Sequence, residues 1–472
     1  MWTSCNELTG PAALALLRRV VPARLSVDAG VTGIVAESYD VVIVGAGFAG
    51  LTAARELSRR GYAVLQLEAR DRIGGRTWTD QRFGRELEMG GTWVHWLQPH
   101  TWSEITRYDL EIVASPTARE VLWIAGGQVR AESPEDFRAR IAPGHDGLLG
   151  DTRKWFPRPY EPLANPDLAE IDEMSIVDRF DQLDLSAEDR ELQVGMWAEH
   201  FNAPPELCAL TQALRWCAAA SGNRQLMDEA TSTYRIATGT RSLAEGIADD
   251  SSADLRLGQV VRRIEQSGGT ALVRTEDGTE YAARGVIVTL PLNALAGIEF
   301  APELPPLIGA AVTERMASRG LKTWIKVRGA VQAFTAYAPP ANGLTWMRPE
   351  FPATEGTGGD TVFVAFGPDS GALDPNDLAG VTKAVHSWRD DLEVLEVTGH
   401  DWVADEFSRE TWPMLQPGQL TRSLAALQAG HGLVRLAGSD YANGWAGFID
   451  GAIESGLRTA ATVHKIFQVG LS

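Results

Sequence analysis

The chain has 472 residues, 44% of them apolar, which is ample for two hydrophobic cores, and two compact domains are expected. Its formal net charge is −19 with no basic stripe, which argues against a nucleic-acid partner and modestly favours the approach of cations. No run of eighteen apolar residues occurs, so no membrane helix is expected, and three cysteines (Cys5, Cys208 and Cys217) are too few for a disulfide framework and suit a reducing, cytoplasmic setting.

Residues 1–36 read as an N-terminal extension. "PAALALLRRVVPARLSV" is amphipathic and basic, and the Arg18–Arg19 pair suggests a degraded export signal. Its apolar stretch lies mostly before that pair and nothing of signal length follows, so a packed or frayed extension is the better reading.

"YDVVIVGAGFAG" follows. Val41, Val42, Ile43 and Val44 are β-branched, short in extent and stopped by glycine, which predicts a buried strand. Gly45, Gly47 and Gly50 have the spacing G-x-G-x-x-G. "FAGLTAARELSRRG" then reads as a helix with Leu51, Ala53, Ala54 and Leu57 inward. Strand, turn and helix together form a dinucleotide fingerprint. Gly45 makes the tight turn, Gly47 admits a pyrophosphate to the backbone, and Gly50 lets helix and strand pack closely. The helix start, at Phe48 and Ala49, offers free N–H groups to phosphate. "YAVLQLE" predicts a second strand ending in Glu68, placed to accept hydrogen bonds from a ribose.

"ARDRIGGRTWT" brings a second glycine turn, Gly74-Gly75-Arg76, and "ELEMGGTWVHW" a third, Gly90-Gly91-Thr92. Near the end, "VRLAGSDYANGWAGFIDGAIESGLRTA" reads as a strand, a small-residue turn, an acid and a helix. In these patches the sequence resembles the flavin-containing amine oxidase family, from about Tyr39 to the end. "GGTWVHWLQPHTW", "WFPRPYEP", "DWVADEFS", "LDPNDL" and "NGWAGFIDGAIESG" look most like its bacterial nicotine and pseudooxynicotine oxidase group.

The resemblance implies an α/β fold: a Rossmann-like FAD-binding domain from 37–95, 232–292 and 425–472, and an interleaved α+β substrate domain from 96–231 and 293–424. In the latter, "SAEDRELQVGMWAEHF" reads as a helix and "LKTWIKV" and "TVFVAFG" as strands. A hairpin at Asp277-Gly278 would feed a strand of the former. The resemblance implies FAD contacts at Gly45, Gly47, Phe48, Ala49, Gly50, Glu68, Ala69, Arg70, Gly75, Arg76, Gly91, Thr92, Trp93, Val261, Gly438, Asp440, Ile449 and Ala452. Asp440 stands where relatives usually carry Glu, one methylene longer. No cysteine follows Cys217, so the family's thioether is unavailable and FAD should be non-covalent. No CxxC or His cluster predicts a metal.

The implied reaction is amine oxidation to an imine, then hydrolysis to a carbonyl compound, with oxygen or a cytochrome as acceptor. Lys322 matches the family lysine that holds a water near the flavin; read alone, it is a strand lysine that snorkels. Lys326 is its competitor, on the same strand face about 13 Å further on. Trp412 and Phe448 match the two walls of the amine cage, where ring faces suit an amine. His95, Trp96, Trp346 and Phe366 are further pocket candidates, His95 without a catalytic step. A pyridine-bearing amine such as pseudooxynicotine or nicotine is the expected substrate. Another flavin oxidase or desaturase, or a non-catalytic flavin protein, is the rival reading, and a homodimer is one open assembly state.

Overall fold

The computed structural model describes residues 37–353 and 359–469. The expected extension, 1–36, lies outside them, as does Cys5. The first strand, β1 (Glu37–Val44), carries the apolar run and is followed directly by the glycine turn and α1 (Phe48–Ser58). Both faces of β1 are covered. Val42 and Val44 pack in one core with Leu65 and Leu67 of β2 (Val64–Leu67), whereas Val41 and Ile43 pack in another with Ala53, Ala54 and Leu57 of α1. Burial on both faces is why the run is continuous and not alternating. Leu51 joins a neighbouring core with Ile449 and Ile453.

Among the described residues the strands form two large sheets. The first has eight strands, in the order Glu299–Ala301, β3 (Val261–Ser267), Thr270–Thr275, Glu280–Val288, β1, β2 and Asp254–Arg256, with Val434–Leu436 also on Glu280–Val288. β1 lies parallel between β2 and Glu280–Val288, with Val44 opposite Leu67 and Val288. The Asp277-Gly278 turn joins two antiparallel strands, and Gly278 takes the φ of +85° that such a turn needs. One strand crosses the expected boundary at 292: Glu299–Ala301 runs parallel to β3 in this first sheet. Three residues are too few for an alternation pattern to be read.

The second sheet draws its seven strands from 120–132 and 321–399. At its centre β4 (Leu321–Val327) pairs antiparallel with β6 (Thr361–Gly367), which pairs with β5 (Trp346–Phe351). Helices from 96–231 pack against it, notably α2 (Ala187–Phe201), and α3 (Arg224–Ser232) is tied to it where Arg348 of β5 donates to the Ser232 carbonyl. Ser186 caps α2, its side chain accepting from Asp189 N. The last helix, α4 (Ile449–Val469), packs on α1 so closely that a Cβ on Gly456 would lie 2.5 Å from the Ala49 carbonyl.

Candidate active site

A cavity of about 580 Å³ runs from the first glycine turn to the face of the second sheet. At one end it is lined by Gly45, Gly47, Phe48, Ala49, Glu68, Ala69, Arg70, Gly74, Gly75 and Val261. Gly47 caps α1 without any side-chain cap, and the first turn carries no acid. The orphan N–H groups therefore keep their partial positive charge toward the cavity. Glu68 ends β2; its carboxylate accepts from Ala46 N at 2.7 Å and Arg70 N at 2.9 Å. One bond per oxygen leaves lone pairs for a ligand. Gly47 and Gly75 face each other: a Cβ on Gly75 would lie 3.1 Å from Gly47 Cα. Backbone donors, a free helix N-terminus and a shelf without side chains fit the phosphates and ribose of a dinucleotide.

Gly50 does not line the cavity. A Cβ there would lie 2.2 Å from the Gly45 carbonyl, so this glycine serves strand–helix contact. Asp440 also falls outside the cavity wall, against the expectation of a direct cofactor contact. Its Oδ1 receives the Arg76 guanidinium and its Oδ2 accepts from Leu292 N at 2.8 Å. Arg76, which does line the cavity, also donates to Glu410 at 2.6 Å, the Thr411 carbonyl and Ser439. Burial and the Asp440 charge push the Glu410 carboxyl well up. For Asp440, burial is outweighed by Arg76 and by the hydrogen bond from Glu410, which hold it down. Asp440 thus orients Arg76 toward the cavity.

At the other end of the cavity lie Gly91, Thr92, Trp93, Lys322, Trp346, Phe366, Trp412, Phe448, Ile449 and Ala452. The N-terminus of α4 is therefore presented to the cavity, as is the small turn at Gly438. Lys322 is buried on β4 and donates to the Gly90 carbonyl at 2.8 Å and Thr92 Oγ1 at 2.6 Å. Burial pushes its ammonium down to about 7, outweighing Glu88 and Glu350, and Arg348 acts in the same sense. Lys326 does not line the cavity and is paired with Glu396 at 2.7 Å. Trp346 stacks on Phe366 at 5.4 Å, and Trp412 meets the Phe366 edge at 5.6 Å. Phe448 is held edge-on by Trp216 and Trp445, each at 5.3 Å.

His95 and Trp96 are not in the wall. His95 is buried beside Glu229 at 3.2 Å and accepts from Leu97 N, while Trp96 stacks over it at 3.9 Å and is 44% exposed on the outside. Trp93, bridged to Arg235, takes the inward place, and the chain then turns, Gln98 N donating to the His95 carbonyl at 3.0 Å, which leaves Trp96 outside.

The family model for flavin-containing amine oxidoreductases matches residues 48–464. The chain belongs to that family. A pseudooxynicotine dehydrogenase of a Pseudomonas species is 37% identical, covering 98% of this chain and 91% of the relative. A nicotine dehydrogenase of Pseudomonas putida is 35% identical, covering 91% and 89%. Among solved structures, wild-type putrescine oxidase bound to putrescine has a TM-score of 0.78 at 24% identity, covering 91% of this chain and 99% of that one. Cyclohexylamine oxidase from Brevibacterium oxydans has a TM-score of 0.77 at 21% identity, with the same coverage.

This flavin-dependent amine oxidoreductase carries polar residues in its cavity wall that the sequence did not single out: Glu199 and His200 on α2, Arg224 and Asp228 on α3, and Arg348 on β5. Arg348 donates to the Ser232 carbonyl at 2.6 Å and Glu350 at 3.2 Å, and burial lowers its pKa. In sequence Glu199, His200, Arg224 and Asp228 look like solvated helix faces; only the packing of α2 and α3 turns them inward. Cys208 and Cys217 are buried and unpaired. Among the described residues no cluster could hold a metal, and no helix is long and apolar enough to cross a membrane.

Proposed function

We propose that the chain binds FAD non-covalently along the cavity and oxidises a secondary or primary amine of the nicotine-alkaloid type, pseudooxynicotine before nicotine. The observation that carries this reading is one continuous cavity joining the dinucleotide cradle to an aromatic cleft with a buried lysine. The wall at Glu68, Val260 and Val261 extends past the glycine turn, which suits an adenosine half and so FAD over FMN. Two relatives named for these alkaloids, each matching most of the chain, support the substrate.

Bound FAD supplies the two-electron acceptor. Trp412 and Phe448 hold the amine between apolar walls, and the same walls exclude water. Desolvation there disfavours the ammonium form, so the amine is presented with a free lone pair. Lys322 has two acceptors, Gly90 and Thr92, and one remaining position for a water facing the cavity. That water is placed to hydrolyse the imine product to a carbonyl compound.

The test is an anaerobic titration of the purified flavoprotein with a panel of amines that includes pseudooxynicotine, nicotine and putrescine. Bleaching of the bound flavin by the alkaloid amines at the lowest concentrations is the expected result. Bleaching by none of the panel would overturn the reading.

A further inference from the structure

The amine cleft uses only part of the cavity. Another stretch of its wall is built by the last turn of α2 and by α3. His200 lies at the C-terminal end of α2, where the helix favours a cation. Its Nδ1 is 2.6 Å from Glu199 Oε2, and its Nε2 is 4.0 Å from Asp228 Oδ1, too far for a hydrogen bond. Asp228 Oδ1 is buried and has no hydrogen-bond partner, while the other oxygen takes Arg224 at 2.9 Å. A ring N–H and an orphaned oxygen thus flank a gap that borders the cavity.

Burial disfavours the His200 imidazolium, but Glu199 and Asp228 outweigh burial and the repulsion of Arg224, and the ring pKa is raised. With His200 charged, two carboxylates face one imidazolium and one guanidinium, and the charges cancel. A second ammonium on a ligand would add positive charge to a wall that already carries His200, Arg224 and Arg348. Beside the cluster Tyr337 stacks on Phe137 at 5.3 Å with ring planes 10° apart, and both line the cavity. Tyr337 is near enough that the charges of Glu199 and Asp228 add to burial in raising its hydroxyl pKa. A flat apolar surface therefore adjoins a charged donor.

We propose that this cluster recognises the end of the amine substrate remote from the oxidised carbon, a neutral planar group bearing a hydrogen-bond acceptor, with His200 Nε2–H as the donor. Glu199 is a positioning residue that fixes the ring and its charge. The inference rests on the amine-oxidation reading, and it names the feature that selects among amines.

The test is calorimetric binding of three non-oxidisable ligands to the holoenzyme: 3-ethylpyridine (ring nitrogen only), acetophenone (carbonyl only) and ethylbenzene (neither). At least one acceptor ligand binds about tenfold tighter than ethylbenzene, as a charge-assisted bond implies. Which one does so identifies the acceptor. His200→Leu removes that advantage while ethylbenzene binding and the flavin spectrum stay as in wild type. His200→Gln, which keeps a donor, retains part of it. Equal binding of all three ligands to wild type, or an undiminished advantage in His200→Leu, overturns the proposal. Should His200→Leu fail to fold, the wild-type panel and folded His200→Gln decide it: a reduced advantage in His200→Gln supports the proposal and an undiminished one overturns it. These readouts need no turnover, so they are separate from failure of the amine titration.

Discussion

The indole Nε1 of Trp412 donates to the backbone carbonyl of His200 at 3.2 Å. That carbonyl lies in the last turn of α2, where helix carbonyls lack an intrahelical partner. One side chain of the proposed amine cleft therefore also caps the helix that carries Glu199 and His200. Trp412→Ala should slow reduction of the flavin by amine on the order of a hundredfold, the scale of misplacement. Trp412→Phe should be milder in rate, because a ring face stays, but should weaken amine binding through the freed His200 carbonyl. Anaerobic stopped-flow traces against amine concentration read both effects. Wild-type rates and amine dependence in Trp412→Ala would remove Trp412 from the cleft.

Gly47 and Gly50 make opposite demands. A Cβ on Gly47 would come no nearer than 3.7 Å to protein atoms, and its φ of −74° suits any residue. A Cβ on Gly50 would lie 2.2 Å from the Gly45 carbonyl. Gly47→Ala should give apoprotein with the wild-type Tm that no longer retains flavin, since the added methyl fills the phosphate shelf. Gly50→Ala should lower the Tm of the apoprotein itself. Thermal melts with and without added FAD separate the two, and a destabilised Gly47→Ala apoprotein would contradict the assignment.

Glu68→Ala removes the acceptor for Ala46 N and Arg70 N together with the expected ribose contact. Losing a charged hydrogen-bond acceptor costs about 1.5–3 kcal/mol, so reconstitution should need roughly ten- to a hundredfold more FAD. Molecules that do carry flavin should be reduced by amine at the wild-type rate. Acid denaturation of wild type should leave all yellow colour in the supernatant; colour in the pellet would contradict non-covalent binding.

The cofactor half of the site was legible because its constraints are local. A glycine that admits a phosphate, a β-branched strand with both faces covered and an acid at a strand end each leave a mark within a few residues. That Trp412 and Phe448 line the same cavity could be expected only through resemblance: nothing local separates Trp412 from the other tryptophans. Asp440 lies outside the cavity wall because its carboxylate is taken up by Arg76 and Leu292 N, partners far away in sequence. Trp96 lies outside the cavity because the chain turns after His95, a turn closed by Gln98 N on the His95 carbonyl that no local pattern announced. The charged residues of α2 and α3 were missed because Glu199, His200 and Asp228 come together only through packing across the chain.

Lys322 gives the site its own pH dependence. Burial brings its pKa to about 7, against about 10.4 for a lysine in the unfolded chain. Below pH 7 the folded protein carries an ammonium donating to Gly90 and Thr92; above it, a neutral amine. The step proposed for Lys322, imine hydrolysis or reoxidation, should therefore show an inflection near pH 7. Lys322→Met should abolish that inflection while leaving amine affinity within a few-fold of wild type. Stability supplies a second check. Between about pH 7 and pH 10.4 the unfolded chain binds a proton that the folded lysine lacks, so wild-type stability rises with pH across that window. Met has no such contribution. Any Tm advantage of Lys322→Met over wild type should be largest near pH 7 or below and shrink toward pH 10. A difference in Tm that stays constant across the window would show that Lys322 keeps its proton in the folded protein, and an unchanged inflection in the variant would assign the titration to another group.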